Sequence, residues 1–298
     1  MQKIYLCIDL KSFYASVECA DRGLDPFTVN LVVADPTRGS GAITLAATPA
    51  IKRYGVKSRG RIFEIPKGIE YITAMPRMTL YMEYSARIYR IFLKYISSED
   101  IHVYSIDESF LDITPYLSLY NMRAKQLAKM ILDDILEETG ITATGGIGTN
   151  LELVKVALDI TAKHTKDNMG VLTEDLYKQT LWHQRPITDF WMIGKGNARR
   201  LEKLGIYDMY GVAHFPQEKL YKVFGVNAEY LIDHAWGKEP VEIADIKAYQ
   251  PSCNSISNSQ ILFEDYNYQD AFLVMKEMVE SNVLSLTEKH LVTNHISL

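Results

Sequence analysis

Three carboxylates carry the chemistry that this sequence suggests. The apolar run Ile4-Tyr5-Leu6-Cys7-Ile8 has the length and pattern of a strand covered on both faces, and it stops at Asp9. Much later, His102-Val103-Tyr104-Ser105-Ile106 and Phe110-Leu111-Asp112-Ile113 flank Asp107-Glu108-Ser109, which reads as a hairpin. If that hairpin lies beside the first strand, Asp9, Asp107 and Glu108 converge at one sheet end. There they repel one another unless divalent cations neutralise them, and hard oxygen ligands favour Mg²⁺ or Mn²⁺ over zinc. Two ions about 4 Å apart would activate an attacking oxygen and stabilise a leaving one at phosphorus. The plainer reading leaves Asp107-Glu108 as turn residues and Asp9 as the neighbour of a helix cap.

The elements around the carboxylates decide whether they can meet. Ser12 can cap a helix in which Phe13, Val17 and Ala20 repeat at helical spacing and which Gly23 stops. Asn121 caps another helix, carrying Leu127, Met130, Ile131 and Ile135 and stopped by Gly140; Ile141-Thr142-Ala143-Thr144 then begins a strand. The order β, α, β, β, α, β predicts an α+β, ferredoxin-like domain with a long insertion after its first helix. In the insertion, Leu31 to Ala34 and Ala42 to Leu45 read as strands and Tyr81 to Ile96 as a helix. Lys52, Arg53, Lys57, Arg59, Arg61 and Lys67 make it locally basic. Glycine-punctuated short helices follow Gly170; residues 250–262 and 290–298 read as strand-like, with a helix over 268–286 between them.

Composition narrows the class without naming a partner. With 298 residues, 47% apolar and 23% charged, the chain can bury ordinary cores. No run approaches the roughly 18 apolar residues of a membrane span, so a cytoplasmic protein with no membrane association is expected. Cys7, Cys19 and Cys253 form no close pair, which argues for reduced thiols and against a cysteine-rich zinc site. The seven histidines show no ligand spacing either. Net charge is −5, yet residues 241–298 hold three lysines against eight carboxylates, so the first 240 residues are neutral and can still meet a phosphate backbone.

The text around the carboxylates is more specific. Asp9-Leu10-Lys11-Ser12-Phe13-Tyr14-Ala15-Ser16-Val17-Glu18, with Tyr104-Ser105-Ile106-Asp107-Glu108-Ser109-Phe110-Leu111-Asp112, resembles the two catalytic motifs of Y-family translesion DNA polymerases. The resemblance continues through Gly41-Ala42-Ile43, Pro49 to Val56, Leu153-Val154-Lys155-Val156-Ala157 and Ile193-Gly194-Lys195-Gly196, and so covers nearly the whole chain. Lys11 stands where the DinB branch usually has a second Asp, so the chain looks more like the UmuC branch.

What the resemblance implies is a palm over residues 1–10 and 78–168, inserted fingers over 11–77, and a small helical thumb over 169–236. A linker over 237–246 and a partial α/β little finger over 247–298, roughly half of that domain, would follow. Asp9, Asp107 and Glu108 would be catalytic and, with the Leu10 carbonyl, would ligate two Mg²⁺ ions, for which Mn²⁺ can substitute. Phe13, Tyr14, Thr44, Lys52 and Lys163 would form the nucleotide pocket, with Tyr14 excluding a ribose 2′-hydroxyl. Helical spacing from Lys155 to Lys163 places both on one face, which makes Lys155 a weaker companion. Gly194, Lys195, Gly196 and Arg199 would hold DNA phosphates in a helix-hairpin-helix. Primer-template DNA and deoxynucleoside triphosphates are the implied partners, with a sliding clamp and SOS accessory proteins reached through regions beyond residue 298. The alternatives left open are a catalytically weak DNA-binding fragment that occupies primer ends and a cyclase-like nucleotidyl enzyme.

Overall fold

The computed structural model describes residues 2–251, 255–262 and 264–298. Within it, residues 1–248 and 249–298 are separate compact units. The first opens with β1 (Tyr5–Leu10) and α1 (Phe13–Asp21), followed by β2 (Leu31–Val33), β3 (Ala46–Ala47), the single-turn α2 (Pro49–Lys52) and β4 (Ile72–Ala74). Next come α3 (Met78–Leu93), β5 (Ile101–Val103), β6 (Glu108–Asp112), α4 (Thr114–Leu119), α5 (Ala124–Thr139) and β7 (Ala143–Gly148). Then α6 (Leu151–Val156) runs into a π turn over Ala157–Thr161, and β8 (Met169–Leu172) closes the sheet.

The main sheet has the order β5-β6-β1-β7-β8. Strands β6 and β7 both pair antiparallel with β1, so the first strand is central; β8 joins in parallel to β7. This is the βαββαβ arrangement that the sequence predicts, extended by β8. The insertion forms its own small sheet, β3-β2-β4.

Alternation along β1 creates two cores. Leu6, Ile8 and Leu10 face a large cluster with Phe13, Ile88, Ile91 and Ile131 from α1, α3 and α5. Tyr5 and Cys7 face the other way, toward Phe110, Leu151, Val154 and Leu158. Helix α6 can lie close on this second face because β7 offers glycines there. A Cβ on Gly146 would stand 2.3 Å from the Val154 carbonyl oxygen, and one on Gly148 2.4 Å from the Val154 nitrogen.

Beyond β8, the unit is helical: α7 (Glu174–Thr180), α8 (Lys195–Glu202), α9 (Met209–His214), α10 (Gln217–Phe224) and α11 (Asn227–Ala235) enclose a core of Leu201, Val212, Leu220 and Ile232. After it, α12 (Ile243–Ala248) buries Ile243 against Tyr5 and Phe110. The expected linker over 237–246 therefore includes the start of a helix that packs on the sheet, because Ile243 and Ile246 give it an apolar face.

Several boundaries differ from expectation. Ile43 makes only an isolated bridge to Arg61, and the strand of this segment is Ala46–Ala47. The α5 cap position falls at Arg123, while Asn121 adopts a left-handed backbone (φ 50°). In the second unit, α13 (Tyr268–Glu288) is the helix expected. The described residues of 250–262 and of 290–298 form no strand. A strand needs a neighbour for its backbone groups, and the described residues of this unit supply none. Cys253 lies outside the described residues; Cys7 and Cys19 are buried free thiols.

Candidate active site

Strand pleat and register place the carboxylates. Asp9 has the parity of Tyr5 and Cys7, so it shares their face of β1, and Glu108 is its direct cross-strand partner. Asp107 sits one residue earlier, in the hairpin, where its carbonyl accepts the Leu10 N–H at 2.9 Å. The Asp107 carboxylate accepts the Ser105 hydroxyl at 2.7 Å. Burial, then the charges of Asp107 and Glu108, push the Asp9 carboxyl up to about 7, with Lys155 pulling the other way.

This end of the sheet therefore carries more negative charge than its protein partners compensate. The donors are all oxygen atoms, which fits a hard divalent cation. Among the described residues, however, no three such side chains stand together in a ligating arrangement. The Glu108 carboxylate turns to Lys155 Nζ, 3.0 Å from Oε1 and 3.1 Å from Oε2, and accepts the Cys7 thiol at 3.3 Å. Lys155 also pairs with Asp159 at 2.9 Å.

The position of Lys155 corrects an expectation. Lys155 is buried, and Asp159 and Glu108 keep its proton on despite that burial. A π turn over Ala157–Thr161 begins two residues later, so the ideal helical spacing that would align it with Lys163 does not hold. Lys163 itself is exposed, on a 3₁₀ turn over Ala162–His164. The sequence reading missed the Glu108–Lys155 pair. Its one signal was a lysine among the apolar residues of Leu153 to Ala157.

The remaining residues reach the site from two directions. Ser12 takes the N-cap position of α1 in a left-handed conformation (φ 51°) and makes no side-chain cap bond. Instead its hydroxyl accepts Lys52 Nζ at 2.8 Å, tying the insertion to the carboxylate end of β1. Burial lowers the Lys52 ammonium below its ordinary value, while Asp9 acts to raise it. Tyr14 is half-buried, stacked on Tyr81 of α3 with ring centroids 4.5 Å apart. The Tyr81 hydroxyl donates to Glu18 at 2.7 Å, and Arg77 holds Glu18 at 2.7 Å. Burial, then the charge of Asp107, raise the Tyr14 phenol above its usual range. Phe13 lies in the main core, and Thr44 is fully buried with its hydroxyl donating to the Lys57 and Gly60 carbonyls. Neither side chain is exposed.

Gly194 caps α8 with its backbone extended, and Lys195, Gly196 and Arg199 follow in the first turns. A Cβ at Gly194 or Gly196 would meet nothing within 4 Å, so this helix start faces open space. What precedes it is a single 3₁₀ turn, Ile187–Asp189. Arg199 Nε donates to the Lys195 carbonyl at 3.2 Å.

The impB/mucB/samB family model matches residues 8–159, which contain all three carboxylates. UvrX of Bacillus subtilis (strain 168), named for UV-damage repair, is 37% identical over 89% of this chain and 62% of its own length. DNA polymerase IV 2 of the same strain is 33% identical over 90% of this chain and 64% of its own. The chain thus spans somewhat under two thirds of these relatives. Among solved structures, the insertion ternary complex of Dbh DNA polymerase superimposes with a TM-score of 0.69 at 28% identity, covering 80% of this chain and 69% of that one. DinB from Sulfolobus solfataricus does so with a TM-score of 0.63 at 26% identity, covering 83% and 68%. With more than half of its residues matched, and matched where the sheet gathers its carboxylates, this chain belongs to the impB/mucB/samB family.

Proposed function

We propose that the chain carries out template-directed DNA synthesis by phosphoryl transfer, of the low-fidelity translesion kind used in an SOS-type damage response. One observation supports this above the others: Asp9 and Glu108 are opposite one another at the sheet end, with Asp107 adjoining. Asp9, Asp107, Glu108 and the Leu10 carbonyl would hold two Mg²⁺ ions. Those ions would neutralise the triphosphate and lower the barrier at phosphorus. The protein's own part is then mostly positioning. Lys52 and Lys163 would approach the triphosphate, and Tyr14 would press on the sugar. The helices over 174–235, read as a thumb, would hold the primer-template by its backbone. Relatives named DNA polymerase IV and a solved ternary complex favour deoxynucleoside triphosphates and DNA as the ligands. A sliding clamp as partner and a cytoplasmic location belong to the same reading; no helix among the described residues is long and apolar enough to cross a membrane. Primer extension on undamaged and abasic templates, with and without Mg²⁺, tests it. A protein that binds primer-template yet adds no nucleotide in any of these conditions would overturn it.

Tyr14→Ala opens the space that a 2′-hydroxyl would occupy and touches no carboxylate. Ribonucleotide discrimination should fall by roughly 10- to 100-fold, the range that pocket size alone confers. Competition between ribo- and deoxynucleotides measures it; unchanged discrimination assigns the gate to another side chain.

Lys195→Ala and Arg199→Ala should weaken primer-template binding alike for every sequence, since phosphate contacts carry no base information. Each side chain that truly neutralises a phosphate should, when removed, reduce the log–log salt slope by about 0.9. An unaltered slope would make these residues an ordinary solvated helix face.

A further inference from the structure

Away from the carboxylate end, three ionisable side chains from separate segments are buried together. Glu152 of α6 is 2% exposed, His234 of α11 6%, and Glu239, just beyond α11, 9%. His234 Nε2 lies 2.8 Å from Glu239 Oε2, and Nδ1 lies 3.3 Å from Glu152 Oε2. The Val241 N–H donates to the other Glu239 oxygen at 2.8 Å, whereas Glu152 Oε2 makes no hydrogen bond of good geometry. A neutral imidazole has one N–H and one lone pair, so it would turn the lone pair on a buried carboxylate. With Glu152 and Glu239 both ionised, only the imidazolium offers a donor to each; burial pushes the Glu152 carboxyl up to about 7, and the His234 charge pulls it back down.

The surroundings favour that form. Asp233 on the same helix, Asp159 beyond α6 and the Tyr177 phenol of α7 add no positive charge. Lys155, the cation facing Glu152, is engaged by Glu108 and Asp159. Burial alone would lower the His234 pKa, but the Glu239 hydrogen bond and the Glu152 charge outweigh it and hold the proton above the ordinary value of 6.5.

The ring also has a mechanical neighbour. Trp191, between α7 and α8, stacks on His234 with centroids 6.4 Å apart and planes at 10°. Its other contacts are Tyr104, edge-on at 5.8 Å, and Phe110 at 6.3 Å; its Nε1 donates to the Tyr104 hydroxyl at 3.3 Å. Tyr104 and Phe110 flank Asp107-Glu108, and the Tyr104 N–H donates to the Glu108 carbonyl at 3.0 Å.

We propose that His234 is a positioning residue: as an imidazolium clamped between Glu152 and Glu239 it seats Trp191 against the Tyr104–Phe110 hairpin, and its deprotonation loosens the joint between sheet and helices. The clasp is intact below the ordinary histidine value and is lost as pH rises through the higher folded-state value.

The test follows the His234 imidazole and Trp191 indole N–H resonances by NMR from about pH 6 to 9. Trp191→Phe identifies the indole peak. Both resonances should report one proton loss above pH 6.5. In Glu239→Gln it should move to lower pH, and in His234→Gln the indole peak should no longer respond. A His234 that titrates at or below the ordinary value, or an indole peak that ignores it, overturns the clasp.

A second arm rests on the DNA-binding reading above. Primer-template affinity should weaken about fivefold or more across the transition in the wild type, the lower end of ordinary coupling between sites, and less than about twofold in His234→Gln. An intact NMR transition with unaltered affinity overturns the positioning role. Absence of binding at every pH overturns the DNA reading instead, and the resonances still decide the clasp.

Discussion

Asp9→Ala and Asp107→Ala are each expected to reduce primer extension by about a thousandfold or more, equivalent to roughly 4 kcal/mol of transition-state stabilisation. Thermal stability and primer-template affinity should change little. Asp9 is a carboxylate that burial and its neighbours already push up to about 7, so the fold gains nothing from its charge. Asp107 lies in the hairpin, its carboxylate held by the Ser105 hydroxyl, with no cationic side chain paired to it among the described residues. Glu108→Ala is a less clean variant, since it also strips Lys155 of one of its two anionic partners inside the protein. Calorimetry, a binding titration and single-nucleotide extension on the same preparations decide the matter. Near-normal extension by Asp107→Ala would remove the catalytic reading, and parallel loss of stability and binding would make these residues structural.

Gly146→Ala should destabilise the fold by about 3 kcal/mol, the upper range for overpacking. Its added methyl would meet the Val154 carbonyl oxygen at 2.3 Å and the Leu158 nitrogen at 2.5 Å, both backbone atoms of the segment that bears Lys155. The only relief is to push α6 off the sheet, which also parts Lys155 from Glu108. Gly145→Ala is the control. Its methyl would point to the opposite face and touch the flexible tips of Leu132 and Leu6 at 3.4 Å, so a loss below about 1 kcal/mol is expected there. Denaturant unfolding of the two variants gives the comparison; equal costs would mean that α6 is not seated on the β7 glycines as described.

The carboxylate end was legible because each determinant is local: an apolar strand that stops at Asp9, and two strand-like runs bracketing Asp107-Glu108. The order of elements then brings them together. What stayed hidden depends on side-chain contacts across the fold. Nothing near Lys155 in the chain indicates Glu108 as its partner, and nothing near Tyr14 indicates Tyr81. The shift of the insertion strand from 42–45 to Ala46–Ala47 has a similar cause, since Ala42, Ile43 and Thr44 bond to Ile62, Arg61 and Gly60 rather than to β2. Residues 290–298 read as strand-like, but such a reading states only a capacity to pair.

The central place of β1 has a consequence for how the molecule comes into being. Tyr5–Leu10 is synthesised before both its neighbours, β6 and β7, which are encoded far downstream. Through that interval the nascent chain carries an apolar segment with two open edges, the species most prone to clump or to recruit a chaperone. Pairing across so long a loop is slow, because the loop must close before any contact rewards it. The carboxylates come together only at the end of that process. Until β1 is enclosed between β6 and β7, Asp9 and Glu108 are not opposite one another, and whatever chemistry this sheet performs begins only after that.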